Sequence, residues 1–202
     1  AELEPFVIGN LEYTPLNRDT IIDGNIYPTV EVGQAYPSSN DIPIPKPTGA
    51  LIIPATVENG GITYRVTAIE NHTDKKATPG GFYGCPQITS ISFPDGLQRI
   101  GYKAFAQDPN IEGIITIPAS VNYFGERAFY GCAAITHIEL QSENIPNLET
   151  TVVGIFTLIP GNDLNPDLYP IFIIPKGQID NYLAEWNRIQ FVYYEDSSNV
   201  FS

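Results

Sequence analysis

One spacing constrains this chain more than any other feature: a block of apolar residues returns 24 positions later. Ile91-Ser92-Phe93-Pro94 is followed by Leu97, Ile100, Gly101 and Ala104-Phe105. Ile115-Thr116-Ile117-Pro118 is followed by Val121, Phe124, Gly125 and Ala128-Phe129, each 24 positions after its counterpart. The register runs outward in both directions. Phe82-Tyr83-Gly84-Cys85 returns as Phe129-Tyr130-Gly131-Cys132. Phe82, Phe105 and Phe129 are each followed six residues later by an isoleucine: Ile88, Ile111 and Ile135. Leu51-Ile52-Ile53-Pro54 opens an earlier unit whose apolar slots are taken by Val57 and Ile69. That unit carries 17 extra residues before Phe82, nine ahead of Ile69 and eight after it. Ile138-Glu139-Leu140 starts a unit that decays, with no Ala-Phe at the expected place, and Phe172-Ile173-Ile174-Pro175 reads as one more strand after a long insertion.

Each unit opens with a short alternating segment closed by proline. Alternation directs successive side chains to opposite faces, as a strand requires. Proline has no N–H to donate to a ladder, so it ends the strand. The remaining residues return the chain to the start of the next strand through apolar anchors, such as Leu97, Ile100, Ala104, Phe105 and Ile111 in one unit. A single coil cannot bury these anchors. Stacked coils bury them as one continuous core, which is the logic of a solenoid.

This pattern resembles leucine-rich repeats, with isoleucine in place of most leucines. The Ile-x-Ile-Pro, Val, Ile-Gly and Ala-Phe-x-x-Cys order is similar to the BspA-like class of surface proteins from Bacteroidetes, over roughly residues 48–141. Phe6, Leu11 and Tyr13 are similar to the β-rich leader before such repeats. Ile174-Pro175-Lys176-Gly177, then Tyr182 and Trp186, are similar to the strand, turn and short helix that close them. The resemblance implies a β-rich α/β fold: a leucine-rich-repeat solenoid of about five parallel stacked strands, with a β-rich N-terminal cap and a strand plus short-helix C-terminal cap. The expected divisions of this continuous unit are 1–47, 48–144 and 145–202. The chain departs from the class in its first-unit insertion and in the stretch from Gln141 to Pro170.

Composition limits the partners. A net charge of −13 repels nucleic acid and anionic lipid heads. No stretch reaches the ~20 apolar residues of a membrane span, so no membrane insertion is expected. The chain has no Met, which fits a removed leader or a trimmed chain.

Chemistry-bearing residues are sparse. Cys85 and Cys132 occupy the same slot two units apart, about 10 Å at the ~4.8 Å strand spacing. A disulfide needs Cα atoms about 4.4–6.8 Å apart, so both are expected to be free and buried. Of the two histidines, His72 falls in an exposed loop and His137 on the outer side of a strand. No His or Cys pair has zinc spacing, no standard calcium loop is present, and Asn162 to Asp167 reads as a turn before it reads as an ion site. Gly60-Gly61 and Gly80-Gly81 lack the context of a phosphate loop. No metal, no cofactor and no enzyme activity are expected.

The outward strand positions are the expected platform: Ala50 and Ile52, Ser90 and Ser92, Ile114 and Thr116, His137 and Glu139, Ile171 and Ile173. The middle of this array is polar and its flanks are apolar. Either the end segments fold over the outer strands and cover the flanks, or the apolar positions form part of a partner patch. Ser90, Ser92, Ile114, Thr116, His137 and Glu139 are therefore the candidate binding residues, with Ile114 as the anchor. The hairpin-like insertion with Tyr64 and Arg65 reads as structural, and Phe191, Tyr193 and Tyr194 as a capping strand. By the resemblance, the chain is a monomeric, extracellular or cell-surface interaction module of adhesion type that binds an extracellular protein. A carbohydrate-binding module or a structural spacer are the alternatives.

Overall fold

The computed structural model describes residues 4–35, 44–70, 80–159, 170–186 and 193–196. β1 (Phe6–Ile8) pairs antiparallel with β2 (Leu11–Ile22), and β2 with β3 (Asn25–Gln34). Asp23 (φ 50°) and Gly24 (φ 78°) close the second hairpin, both in the left-handed region that a two-residue loop demands. β4 (Gly49–Ile52) opens the coils. The expected insertion follows as a hairpin of β5 (Thr56–Asn59) and β6 (Ile62–Ile69) around Gly60-Gly61. The coils continue through β7 (Ile88–Ser92), β8 (Arg99–Ile100), β9 (Gly113–Ile117), β10 (Tyr123–Phe124), β11 (Ile135–Leu140) and β12 (Asn147–Leu148). α1 (Val152–Phe156), β13 (Ile171–Ile174), α2 (Ile179–Glu185) and β14 (Tyr193–Asp196) complete the described chain.

Each coil has three sides. The first is the strand face. β4 and β7 run parallel, with Leu51 opposite Ile91. β9, β11, β13 and β14 form a separate parallel sheet in which Ile115, Ile138, Phe172 and Tyr194 line up. The ladder is interrupted between β7 and β9, where Glu112 N–H still donates to Thr89 O at 3.1 Å.

The second side is a sheet that the spacing did not reveal. Ile69, Ile100, Phe124 and Leu148 pair in parallel through β6, β8, β10 and β12. Two-residue strands are too short to show alternation, so the return path reads in the sequence only as scattered anchors. β3 joins this sheet beside β6, with Val32 opposite Ile69. The N-terminal hairpins thus extend the second sheet. On its outer surface Arg99 stacks 3.8 Å from the Tyr123 ring centre, and its Nε lies 3.1 Å from Glu70 Oε1.

The third side is a ladder of turns. Phe82 N–H donates to Ala104 O (2.6 Å), Phe105 N–H to Ala128 O (2.8 Å) and Phe129 N–H to Ile155 O (3.1 Å). Their rings stack face to face with Phe156, at centroid separations of 5.6, 5.5 and 5.7 Å and tilts of 10–16°. This corrects the expectation that the unit from Ile138 decays. Ile155-Phe156 take the Ala-Phe slot, 27 positions after Ala128-Phe129 instead of 24. The three extra residues accommodate the single turn of α1, capped by Thr151 Oγ1, which accepts from Gly154 N–H at 3.1 Å. All four phenylalanines are fully buried.

Gly125 is required by the proximity of backbone, whereas a methyl group at Gly101 would meet the Glu70 side chain. Gly125 N–H donates to Ile100 O at 2.8 Å, and a methyl group at Gly125 would overlap the backbone of Gly101 and Tyr102. Gly113 differs: its φ is 79°, but the space beside it is open. Gly125→Ala is therefore expected to cost about 2–3 kcal/mol through overpacking, and Gly113→Ala about 1 kcal/mol through left-handed strain alone. Thermal unfolding checks the order, since about 2–4 °C of Tm accompanies each kcal/mol at this size. A Gly113→Ala loss equal to or above that of Gly125→Ala would contradict the stacking geometry.

Candidate functional site

The core decides which strand residues face out. Leu51, Ile115, Ile117, Ile138 and Leu140 are buried, so the residues between them emerge on the strand face. β11 adds an irregularity: Ile135 pairs with Gly113 and His137 with Ile114, leaving Thr136 as an extra outward residue. Thr136 Oγ1 donates to Gly113 O at 3.1 Å and lies 2.9 Å from His137 Nδ1.

Two rows cross the strands. Ala50 pairs with Ser90, and His137 pairs with Ile114 on one side and Ile171 on the other. Ile52 pairs with Ser92, and Glu139 pairs with Thr116 on one side and Ile173 on the other. Of the six candidates, Ser90, Ser92, Ile114 and Thr116 are exposed, and His137 and Glu139 are partly so. Glu139 Oε2 accepts from Thr116 Oγ1 at 3.0 Å, which fixes both side chains across adjacent strands. Ile114 is 52% exposed at the centre of this hydroxyl-rich surface.

The two flanks, both expected to be covered, differ in exposure. Ile173 is 2% exposed, whereas Ile52 is 69% exposed. β13 lies between β11 and β14, while β4 has β7 alone as a ladder partner among the described residues. The N-terminal hairpins pair with β6 instead of crossing the strand face, and so leave Ile52 uncovered. Thr63 and Ile62 lie near the tip of the Tyr64–Arg65 hairpin, whereas Tyr64 is buried with its ring 5.5 Å from Phe6.

The C-terminal aromatics are structural. Tyr182 Oη donates to Ser142 O at 2.8 Å, and Trp186 Nε1 to Pro146 O at 3.1 Å. Both rings are buried against each other and, for Trp186, against Phe172 at 5.6 Å. Burial pushes the Tyr182 phenol up to about 12. A cavity of about 310 Å³ opens beside them, lined by Ile145, Leu148, Thr151, Glu185 and Trp186 among others. β14 lies in ladder with β13, so Tyr193 and Tyr194 belong to the strand stack through their backbone. Phe191, His72 and the 162–167 turn lie outside the described residues.

Cys85 and Cys132 are free and buried. Cys85 Sγ lies 3.4 Å from Gln34 Oε1, and Cys132 Sγ 3.0 Å from Phe105 O. Burial, reinforced by the Asp108 charge, pushes the Cys85 thiol up to about 12 and raises Cys132 as well, so neither is a thiolate near neutrality. Asp108 itself escaped the sequence reading. It stands in the cysteine slot of the intervening unit, three residues after Phe105, and the repeat register was the signal that could have found it. Among the described residues, no group of three or more His, Cys, Asp or Glu is placed to hold a metal ion.

Residues 75–154 match the model of the BspA type leucine-rich repeat region. The repeats belong to the BspA type. Three solved structures resemble the chain: the pneumococcal vaccine antigen PcpA (14% identity, 85% of this chain and 64% of that one, TM-score 0.36), a leucine-rich repeat protein from Bacteroides ovatus (17%, 84% and 49%, 0.38), and a leucine-rich cell surface protein from Faecalibacterium prausnitzii (13%, 75% and 48%, 0.34). The chain thus spans less than two thirds of the length of each. No curated protein sequence matches it. No helix among the described residues is long and apolar enough to cross a membrane.

The burial of Trp186, the chain's single tryptophan, is directly measurable. Its fluorescence should resist iodide quenching in the native protein, with a Stern–Volmer slope near zero, and reach the slope of free indole after unfolding. A native slope already equal to that of free indole would mean that the aromatic cap is open.

Proposed function

We propose that this BspA-type repeat chain is a non-enzymatic, surface-displayed or secreted interaction module that docks a protein partner on its strand face. The observation that carries the reading is the exposed Ile114, set among Ser90, Ser92, Thr116, Thr136 and His137 on the strand face. An apolar anchor ringed by polar groups is the composition of a protein-binding hot spot, where the rim excludes water from the centre. Ile52 extends the apolar surface towards β4. Backbone ladders hold this face in place, so a partner would lose little conformational freedom on the module's side.

A glycan platform would need exposed, coplanar rings, and Tyr182 and Trp186 are both buried. A spacer within a larger surface assembly would need no site at all. The purified chain, Ile114→Asp and His137→Ala should be compared on an array of extracellular-matrix proteins and glycans. A protein ligand should bind, with Ile114→Asp weakening it by about tenfold or more, equivalent to about 1.4 kcal/mol, and His137→Ala by less. A glycan signal untouched by both substitutions would move the site off the strand face. Silence across the array would favour the spacer.

A further inference from the structure

The turn ladder holds one group out of keeping with its surroundings. In the slot filled by Cys85 in one unit and Cys132 in a later one, the intervening unit places Asp108, which is 0% exposed. Its Oδ1 accepts from Cys85 N–H at 2.6 Å. Its Oδ2 is buried without a hydrogen-bond partner among the described residues. A buried orphan acceptor is rare enough in a folded chain to require an account. An ionised carboxylate there would leave charge facing an apolar stack, at a cost of several kcal/mol before any compensation.

We propose that Asp108 is a pH-gated latch in this ladder: held as the neutral acid it keeps the coil closed, and its ionisation opens the 105–111 turn and exposes the Cys85 and Cys132 thiols. The groups facing it are few. Cys85 comes from the preceding coil, Cys132 from the following coil, and Lys46 from the segment after the N-terminal hairpins. Neither thiol carries charge near neutrality that could favour or oppose ionisation. Lys46 is exposed and its Nζ is already committed to Gly84 O at 2.6 Å, so it offsets the burial only in part. Desolvation is the largest influence and lifts the Asp108 carboxyl from 3.8 to about 8, against the opposing pull of the Cys85 N–H and Lys46.

The sign follows from proton binding. Between 3.8 and about 8 the folded chain holds a proton that the unfolded chain has lost. Stability from this group is therefore complete below the lower value and declines as pH rises to the upper one. The same linkage acts on opening of the turn. Relative to a form that cannot ionise, the open population should grow about a hundredfold between pH 6 and pH 9.

Thiol-reagent kinetics on the intact chain read this directly. The thiols themselves react faster as pH rises, so Asp108→Asn serves as the reference at each pH. The wild-type to Asp108→Asn rate ratio should be about a hundredfold higher at pH 9 than at pH 6. A ratio independent of pH would overturn the latch. Because Asp108→Asn could disturb folding, the carboxyl carbon of Asp108 should also be titrated by 13C NMR in the unaltered chain. A midpoint at or above about pH 7 is expected from the burial of the group. A midpoint near that of an ordinary aspartate, about 4, would sink the proposal whatever the thiols do.

Discussion

Each coil of this chain is closed by its neighbour, and the contact that most plainly does so is the column of Phe82, Phe105, Phe129 and Phe156. One ring per turn is too little apolar surface for an isolated coil. In the column each interior ring is covered on both faces, and full burial of a phenylalanine contributes on the order of 1.5–3 kcal/mol. The backbone carries the same message, because the N–H groups of Phe82, Phe105 and Phe129 are each satisfied by a carbonyl of the following coil. Side-chain packing and main-chain pairing therefore share one repeat distance. Gly125 lets the chains approach that closely on the neighbouring side.

The outer surface inherits its order from this interior. Ile115, Ile138 and Phe172 are in the core because they stack, and alternation then leaves Ile114, His137 and Ile171 in a row outside. A row set by backbone ladders is a stiff surface, which suits recognition without rearrangement. The face is not uniform. It is interrupted between β7 and β9, rich in hydroxyls near its centre, and uncovered at Ile52. Those three departures break the regularity of an otherwise repetitive surface. Asp108 is the corresponding departure inside, a titratable group among residues that are otherwise apolar or uncharged.

Much of this was legible before any coordinates. The strand positions, the inward and outward alternation, the location of Ile114 and the separation of the two cysteines all follow from periodicity, because a strand period of two and a fixed repeat length leave little freedom. What periodicity missed is instructive. β8, β10 and β12 have two residues each, below the length at which alternation can be seen. Phe156 was hidden by a change of spacing that α1 absorbs, since a search at one fixed interval cannot follow a coil that lengthens. Asp108 was passed over because a residue conflicting with its slot reads as noise until its burial is known.

The sequence by itself determined the coil. Isoleucine and phenylalanine at fixed intervals, proline at the strand ends and glycine where chains converge permit stacking and little else, because local backbone rules and burial agree at each of those positions. Only the tertiary structure decided how the ends are used. Whether the N-terminal hairpins would cross the strand face or extend the second sheet turns on competition between two open ladders, and β6 won that pairing from β3. The exposure of Ile52, the burial of Ile173 and the enclosure of Asp108 follow from such long-range choices. They depend on which surfaces meet, and no local stretch of sequence contains both partners of those contacts.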